Sequence, residues 1–284
     1  MAYTSLLTTI WTARLNASLK KNLVFANLMN RDYEVDARGA VAININTIGA
    51  VTVGTYLTGS MPLEDISSTS MSFDINQKKF FNFKVEDFVI AASNVAIVDG
   101  AMVEAGYALA DGADQFCAAL TASISGSATS NLTLGYLVGT NASGSAQSGS
   151  AYNLITTLAE ELDIRNAPAR GRFAVVPPWI IKYLNDDGKW LGGNYSVGDN
   201  GLVQGAVIAG LQLYVSNNLS KASYGAAERV IAGTPSAWGF ASQINKLERY
   251  RPQDAFADAV KGLWVYGAKV LKPSGLVTAN ITKL

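Results

Sequence analysis

Chemistry near neutral pH usually begins with histidine, and this 284-residue chain has none. The commonest general base and the commonest metal ligand are therefore both missing. A single cysteine, Cys117, rules out a disulfide within the chain and the usual Cys/His zinc sets. It lies in the apolar run Phe116-Cys117-Ala118-Ala119, which reads as a small buried hydrophobe rather than a reactive thiol. Phosphate-cradling loops are also missing. The only Gly-Lys pair, Gly188-Lys189, is followed by Trp190, and neither Gly-x-Ser-x-Gly nor Gly-x-Gly-x-x-Gly occurs. Four adjacent acid pairs remain, Glu64-Asp65, Glu86-Asp87, Glu160-Glu161 and Asp186-Asp187. Paired carboxylates can divide acid and base roles, but in loops and at helix ends they are ordinarily just hydrated. The residues therefore predict no catalytic, cofactor-binding or metal-binding site, and a carboxylate-dependent hydrolase is kept only as an alternative.

Composition points instead to buried surface. Hydrophobic residues make up 49% of the chain and charged residues 15%, against about 25% charged in an ordinary soluble domain. So few charges cannot cover an isolated monomer well, which predicts extensive contact with other chains. Net charge is zero but unevenly spread: residues 85–164 hold nine acids and no Lys or Arg, and residues 165–284 hold 14 basic and seven acidic residues. The first 31 residues carry Arg14, Lys20, Lys21 and Arg31 and no acid. These blocks of opposite sign can attract one another within or between chains. No basic, apolar leader opens the sequence, and no apolar run approaches the ~18 residues of a membrane span, so folding in a reducing cytoplasm is expected.

The elements follow from periodicity. Residues 1–30 read as a weakly helical arm without a core of its own. Val41, Ile43 and Ile45 alternate with Ala42, Asn44 and Asn46, and Met71, Phe73 and Ile75 alternate with polar residues, as do Phe81, Phe83 and Val85. Period two marks strands with two unlike faces. The Gly/Pro/Ser/Asp-rich stretch 57–68 is a loop, so residues 40–78 predict a long hairpin that cannot bury both faces alone. From 94 to 124 the step becomes three or four. Val98, Met102, Ala105, Leu109, Ala113, Phe116 and Leu120 form one stripe, with Asp99, Glu104, Asp111 and Asp114 expected on the opposite, solvent face. Such a helix is roughly 45 Å long. Further on, the pattern predicts a strand near 132–138, a helix over 152–162 and a buried strand at 172–176 closed by Pro177-Pro178. A short helix over 179–184, one strand within 203–215 and a central strand over 263–271 complete the reading.

This order resembles the major capsid proteins of tailed bacteriophages, the Hong Kong 97 fold. The likeness is carried by Phe25-Ala26-Asn27-Leu28-Met29-Asn30-Arg31-Asp32-Tyr33-Glu34, by Leu63-Glu64-Asp65-Ile66, and by Phe73 through Asp87, which includes Lys79-Phe80-Phe81-Asn82-Phe83-Lys84-Val85. It covers residues 20–125 well and thins beyond them.

The resemblance implies an α+β fold with an N-terminal arm (1–38), an extended loop (40–78), a peripheral lobe with the spine helix (79–125 and 246–284) and an axial lobe (126–245). It implies a non-enzymatic, cofactor-free subunit that assembles with itself, as hexamers and pentamers, into an icosahedral virion shell around double-stranded DNA, read without sequence specificity. Portal and decoration proteins would be further partners. The chain begins at the arm, so the scaffolding protein would be separate or absent. The expected subunit interface is Arg14, Lys20, Lys21, Arg31, Tyr56, Leu57, Met61, Leu63, Glu64 and Asp65. Some family members weld loop lysines to asparagines. Residues 49–77 contain no lysine, and the first are Lys78 and Lys79, so a non-covalent shell is expected. An encapsulin-type nanocompartment shell is the nearest alternative.

Overall fold

The computed structural model describes residues 23–35, 40–49, 51, 53, 65–66, 68–87, 97–124, 132–136, 151–186, 196–197, 201–220 and 228–281. A short helix α1 (Phe25–Leu28) is followed by strands β1 (Ala42–Ile48), β2 (Ser68–Asp74) and β3 (Gln77–Glu86). Helices α2 (Ile97–Ala119) and α3 (Thr121–Ile124), strand β4 (Leu132–Tyr136), helix α4 (Ala151–Ile164), strand β5 (Phe173–Val176) and helix α5 (Pro178–Asp186) come next. Strands β6 (Ser196–Val197), β7 (Leu202–Ile208), β8 (Leu211–Val215), β9 (Glu228–Gly233), β10 (Trp238–Tyr250), β11 (Ala257–Val270) and β12 (Leu276–Ile281) complete the chain.

These strands form three sheets. β1 and β2 pair antiparallel, Ala42 opposite Asp74 and Ile48 opposite Ser68, and bond to no other strand among the described residues. A second sheet has the order β10-β11-β3, with β11 central as its apolar run predicts. The third has seven strands in the order β4-β12-β9-β5-β8-β7-β6.

The seven-stranded sheet is apolar on both faces, and β5 shows how. All four of its residues are buried. Ala174 and Val176 point into a core with Leu154, Leu158, Leu162, Ile180 and Leu184 of α4 and α5. Phe173 and Val175 point into the other core, with Phe25, Trp238 and Tyr266. Phe173 stacks on Trp238 with ring centroids 5.5 Å apart.

The local signals are readable in the chain. In α4, Ala151, Leu154, Ile155, Leu158, Ala159 and Leu162 form one buried stripe. Asn166 in the left-handed region (φ 55°) ends that helix, with Asn166 N–H donating to Asp163 O at 2.9 Å and Ala167 N–H to Leu162 O at 3.0 Å. Pro178 starts α5, where its missing N–H costs nothing.

Three expectations change. The stretch 203–215 holds two strands, because Ala209 (φ 49°) and Gly210 (φ 78°) make a two-residue hairpin turn. The long helix breaks at Leu120 rather than running to 124. Asp114, expected to face solvent, is fully buried, because the stripe widens over the last turns of α2 to include Ala113, Asp114, Cys117 and Ala118. β10 runs across residues 245/246, and β12 lies in the seven-stranded sheet between β4 and β9. Pairings this distant along the chain leave no local pattern.

Candidate assembly surfaces

The hairpin comes first because it lacks cover. Its root is anchored: Phe73 and Ile75 are buried with Ala241 and Val265. Lys269 Nζ donates to Ser72 O. Gly267 lets the chains cross, since a side-chain carbon there would collide with the Asp74 carbonyl and lie 2.9 Å from Ile75 Cα. Ile43 and Ile45 pack partly against this root. Farther out Ile48, Val51 and Ile66 are exposed, and Val53 is 94% exposed. Residues 40–77 carry Glu64, Asp65 and Asp74 and no basic residue.

The second surface is one face of the three-stranded sheet. In register, Lys78 lies opposite Val265, Phe80 opposite Leu263, Asn82 opposite Lys261 and Lys84 opposite Ala259. On the other side of β11, Lys246 lies opposite Leu263, Glu248 opposite Lys261 and Tyr250 opposite Ala259. Alternate residues of a strand share a face, so four lysines surround Phe80, which is 75% exposed. Lys261 Nζ sits 2.9 Å from Glu248 Oε2 and 5.2 Å from the centre of the Tyr250 ring. Their hydrogen bond holds the Glu248 carboxyl below, and the Lys261 ammonium above, its ordinary range. The opposite face of the sheet turns Phe81, Leu247 and Trp264 toward Met102, Leu109 and Ala110 of α2, around an apolar groove. The lysine face was missed in the sequence, although Lys78, Phe80, Asn82 and Lys84 sit two apart. Attention to Phe81, Phe83 and Val85 hid the other parity.

Of the expected interface residues, Arg14, Lys20, Lys21, Tyr56, Leu57, Met61, Leu63 and Glu64 lie outside the described residues. Asp65 is exposed. Arg31 is exposed, donates Nη2 to Ala26 O at 3.3 Å and sits 5.4 Å over the Phe240 ring. Lys78 and Lys79, the first lysines after the loop, are part of β3 and not of the hairpin.

Glu64 and Asp187 lie outside the described residues, and two of the other acids form ion pairs. Asp87 pairs with Arg251, and Glu161 with Arg165 at 3.6 Å one turn along α4. Burial raises the Cys117 thiol far beyond its ordinary value, with the Asp114 charge adding to the shift. Burial also pushes the Tyr266 hydroxyl up to about 12. Neither group is poised to react. Among the described residues no cluster of acids, cysteine or histidine could hold a metal, and no helix is long and apolar enough to cross a membrane.

A chain with a large two-faced core, a bare apolar hairpin and a lysine-bearing sheet face is built as a subunit that others cover. Comparison with known proteins names that class. The family model described as "Phage capsid protein" matches residues 72–279, and the chain belongs to that family. No curated protein is a significant match. A solved structure from Mycobacterium phage Che8 is 29% identical, covers 99% of this chain and 98% of its own, and superposes with a TM-score of 0.75. The capsid structure of cyanophage P-SCSP1u (17% identity, 98% and 93% coverage, TM-score 0.71) and the mature capsid of bacteriophage PhiM1 (14%, 97% and 92%, 0.64) share the fold. The fold is therefore Hong Kong 97-like, α2 is its spine helix, and the chain is a major capsid subunit of a virion.

Proposed function

We propose that copies of this chain tile an icosahedral shell, as hexamers and pentamers, and that the hairpin of each copy lies on a neighbour. Residues 1–38 act as an arm, 40–78 as the extended loop, and the remainder as peripheral and axial lobes that meet through β5. The observation that carries this reading is the exposed apolar hairpin: Ile48, Val51, Val53 and Ile66 are all exposed among the described residues. A two-stranded ribbon is marginal in water, and its open edges invite pairing. Its acid, lysine-free character suits the lysine face around Phe80 on a second copy. Closed symmetry then satisfies every copy at once.

The role is structural, and the reading assigns the chain no reaction. Assembly takes place in the host cytoplasm around double-stranded DNA, with a scaffolding protein, a portal and decoration proteins as partners. Electron microscopy of the purified protein tests the central claim. Closed shells are expected, and monodisperse monomers at high concentration overturn it. Because the loop has no lysine, boiled shells should run on a denaturing gel as one band near 30.0 kDa. A ladder that survives reductant overturns the non-covalent reading.

A further inference from the structure

Asp114 lies on the buried side of α2 and is 0% exposed. Its Oδ1 accepts the backbone N–H of Ala26 at 3.2 Å, so the acid sits beneath the start of α1. Its Oδ2 accepts Asn218 Nδ2 at 3.1 Å. The same amide nitrogen donates to Asp111 Oδ1 at 2.7 Å and so bridges two carboxylates about one helical turn apart. Asn218 Oδ1 is buried without a partner. One acid thus joins three segments: the arm at 24–28, the spine helix, and the stretch after β8, whose Ser220 also meets Thr121 at 2.8 Å.

The ionisable groups around it are few. The helix contributes Asp111 and Cys117, the arm contributes Arg31, and β11 contributes Tyr266 beside Cys117. Residues 216–220 contribute none. Among the described residues no cation pairs with Asp114, whose partners are the Ala26 N–H and the Asn218 amide, and a buried carboxylate without an ion pair is costly. Burial holds the carboxyl above its ordinary range. Hydrogen bonds from Asn218 and from the N–H groups of Ala26, Phe25 and Val24 oppose that shift without cancelling it.

We propose that Asp114 is a proton-sensitive latch for the arm: residues 24–28 dock on its buried carboxyl and release when that carboxylate is hydrated. Docking covers the acid with Val24 and Phe25, and release returns it to water. The docked form therefore binds the proton more tightly than the released form. Docking is strongest below the ordinary carboxylate range and weakens as pH rises through the raised value. This inference concerns the single chain and does not depend on how copies pack.

Hydrogen exchange of the full-length protein from pH 4.5 to 8.5, corrected for intrinsic chemistry, reads the latch at residues 23–31, with residues 173–176 as the folding control. In the wild type, protection of the arm should fall with rising pH, by at most about tenfold per pH unit for one linked proton. Asp114→Asn carries no charge at any pH and should flatten the profile. A wild-type profile that is already flat, or a variant that follows the wild type, overturns the latch. Should Asp114→Asn lose protection at 173–176, Asn218→Ala decides. Removing a donor that favours the charged form should raise the docked carboxyl's proton affinity, so the loss of arm protection should deepen and its midpoint move to higher pH. An unmoved midpoint overturns the proposal.

Discussion

The seven-stranded sheet and the β1–β2 hairpin use the same alternation to opposite ends. In β5, β9 and β12 both parities find apolar cover, one set against α4 and α5 and the other against Trp238 and its neighbours. In β1 and β2 only the root does, at Phe73 and Ile75. Outward from there β2 loses burial from Phe73 to Ser70, and in β1 only Ile43 and Ile45 stay partly buried. A pattern of residues thus states which sides of a strand differ, and the surroundings decide whether the apolar side is a core or a contact awaiting a partner. The difference separates what holds the subunit together from what the subunit offers to others.

Three variants test that separation, beginning with the largest effect on the subunit. Phe173→Ala removes the ring stacked on Trp238 from a fully buried strand. It should lower unfolding stability of the isolated chain by about 3–5 kcal/mol in urea titration. A cost under ~1 kcal/mol would mean that β5 is not the wall between two cores. Gly267→Ala forces a methyl into the Asp74 carbonyl at the hairpin root. Overpacking of this kind costs about 1–3 kcal/mol, and exchange protection should fall in residues 68–75 while residues 173–176 keep theirs. Val53→Ser with Ile66→Ser should move unfolding of the isolated chain by no more than about 0.5 kcal/mol, as for exposed sites generally. Yet shells seen by electron microscopy should become scarce. If the double variant assembles normally, these residues of the hairpin are not contact surface.

What the chain reveals by itself is what neighbours in sequence decide. The stripe of α4 and the buried run Phe173–Val176 are set within a few residues, and the structure has them where the pattern places them, while α5 starts at Pro178, one residue before the expected Trp179. The central position of β11 was legible too, because Trp264, Val265 and Tyr266 leave no polar face. β12 was not. Leu276-Val277-Thr278-Ala279-Asn280-Ile281 is short and mixed, and it becomes a strand through partners more than 40 residues away at Val230 and about 145 away at Leu132–Tyr136. Asp114 was misread for a related reason. An acid on a helix is ordinarily hydrated, and only the arrival of Ala26 and Asn218 from distant segments makes burial affordable. Alternation located the hairpin, but the lysine face proposed to receive it is assembled from β3, β10 and β11 and exists only once the three strands are paired.

The placement of β12 also sets an order of events during synthesis. It fills the slot between β4 and β9, so the larger sheet stays split until residues 276–281 have left the ribosome. The hairpin root waits as well, because Val265, Gly267 and Lys269 of β11 hold it. Without β12, β4 loses its partner in the sheet and β9 keeps one open edge.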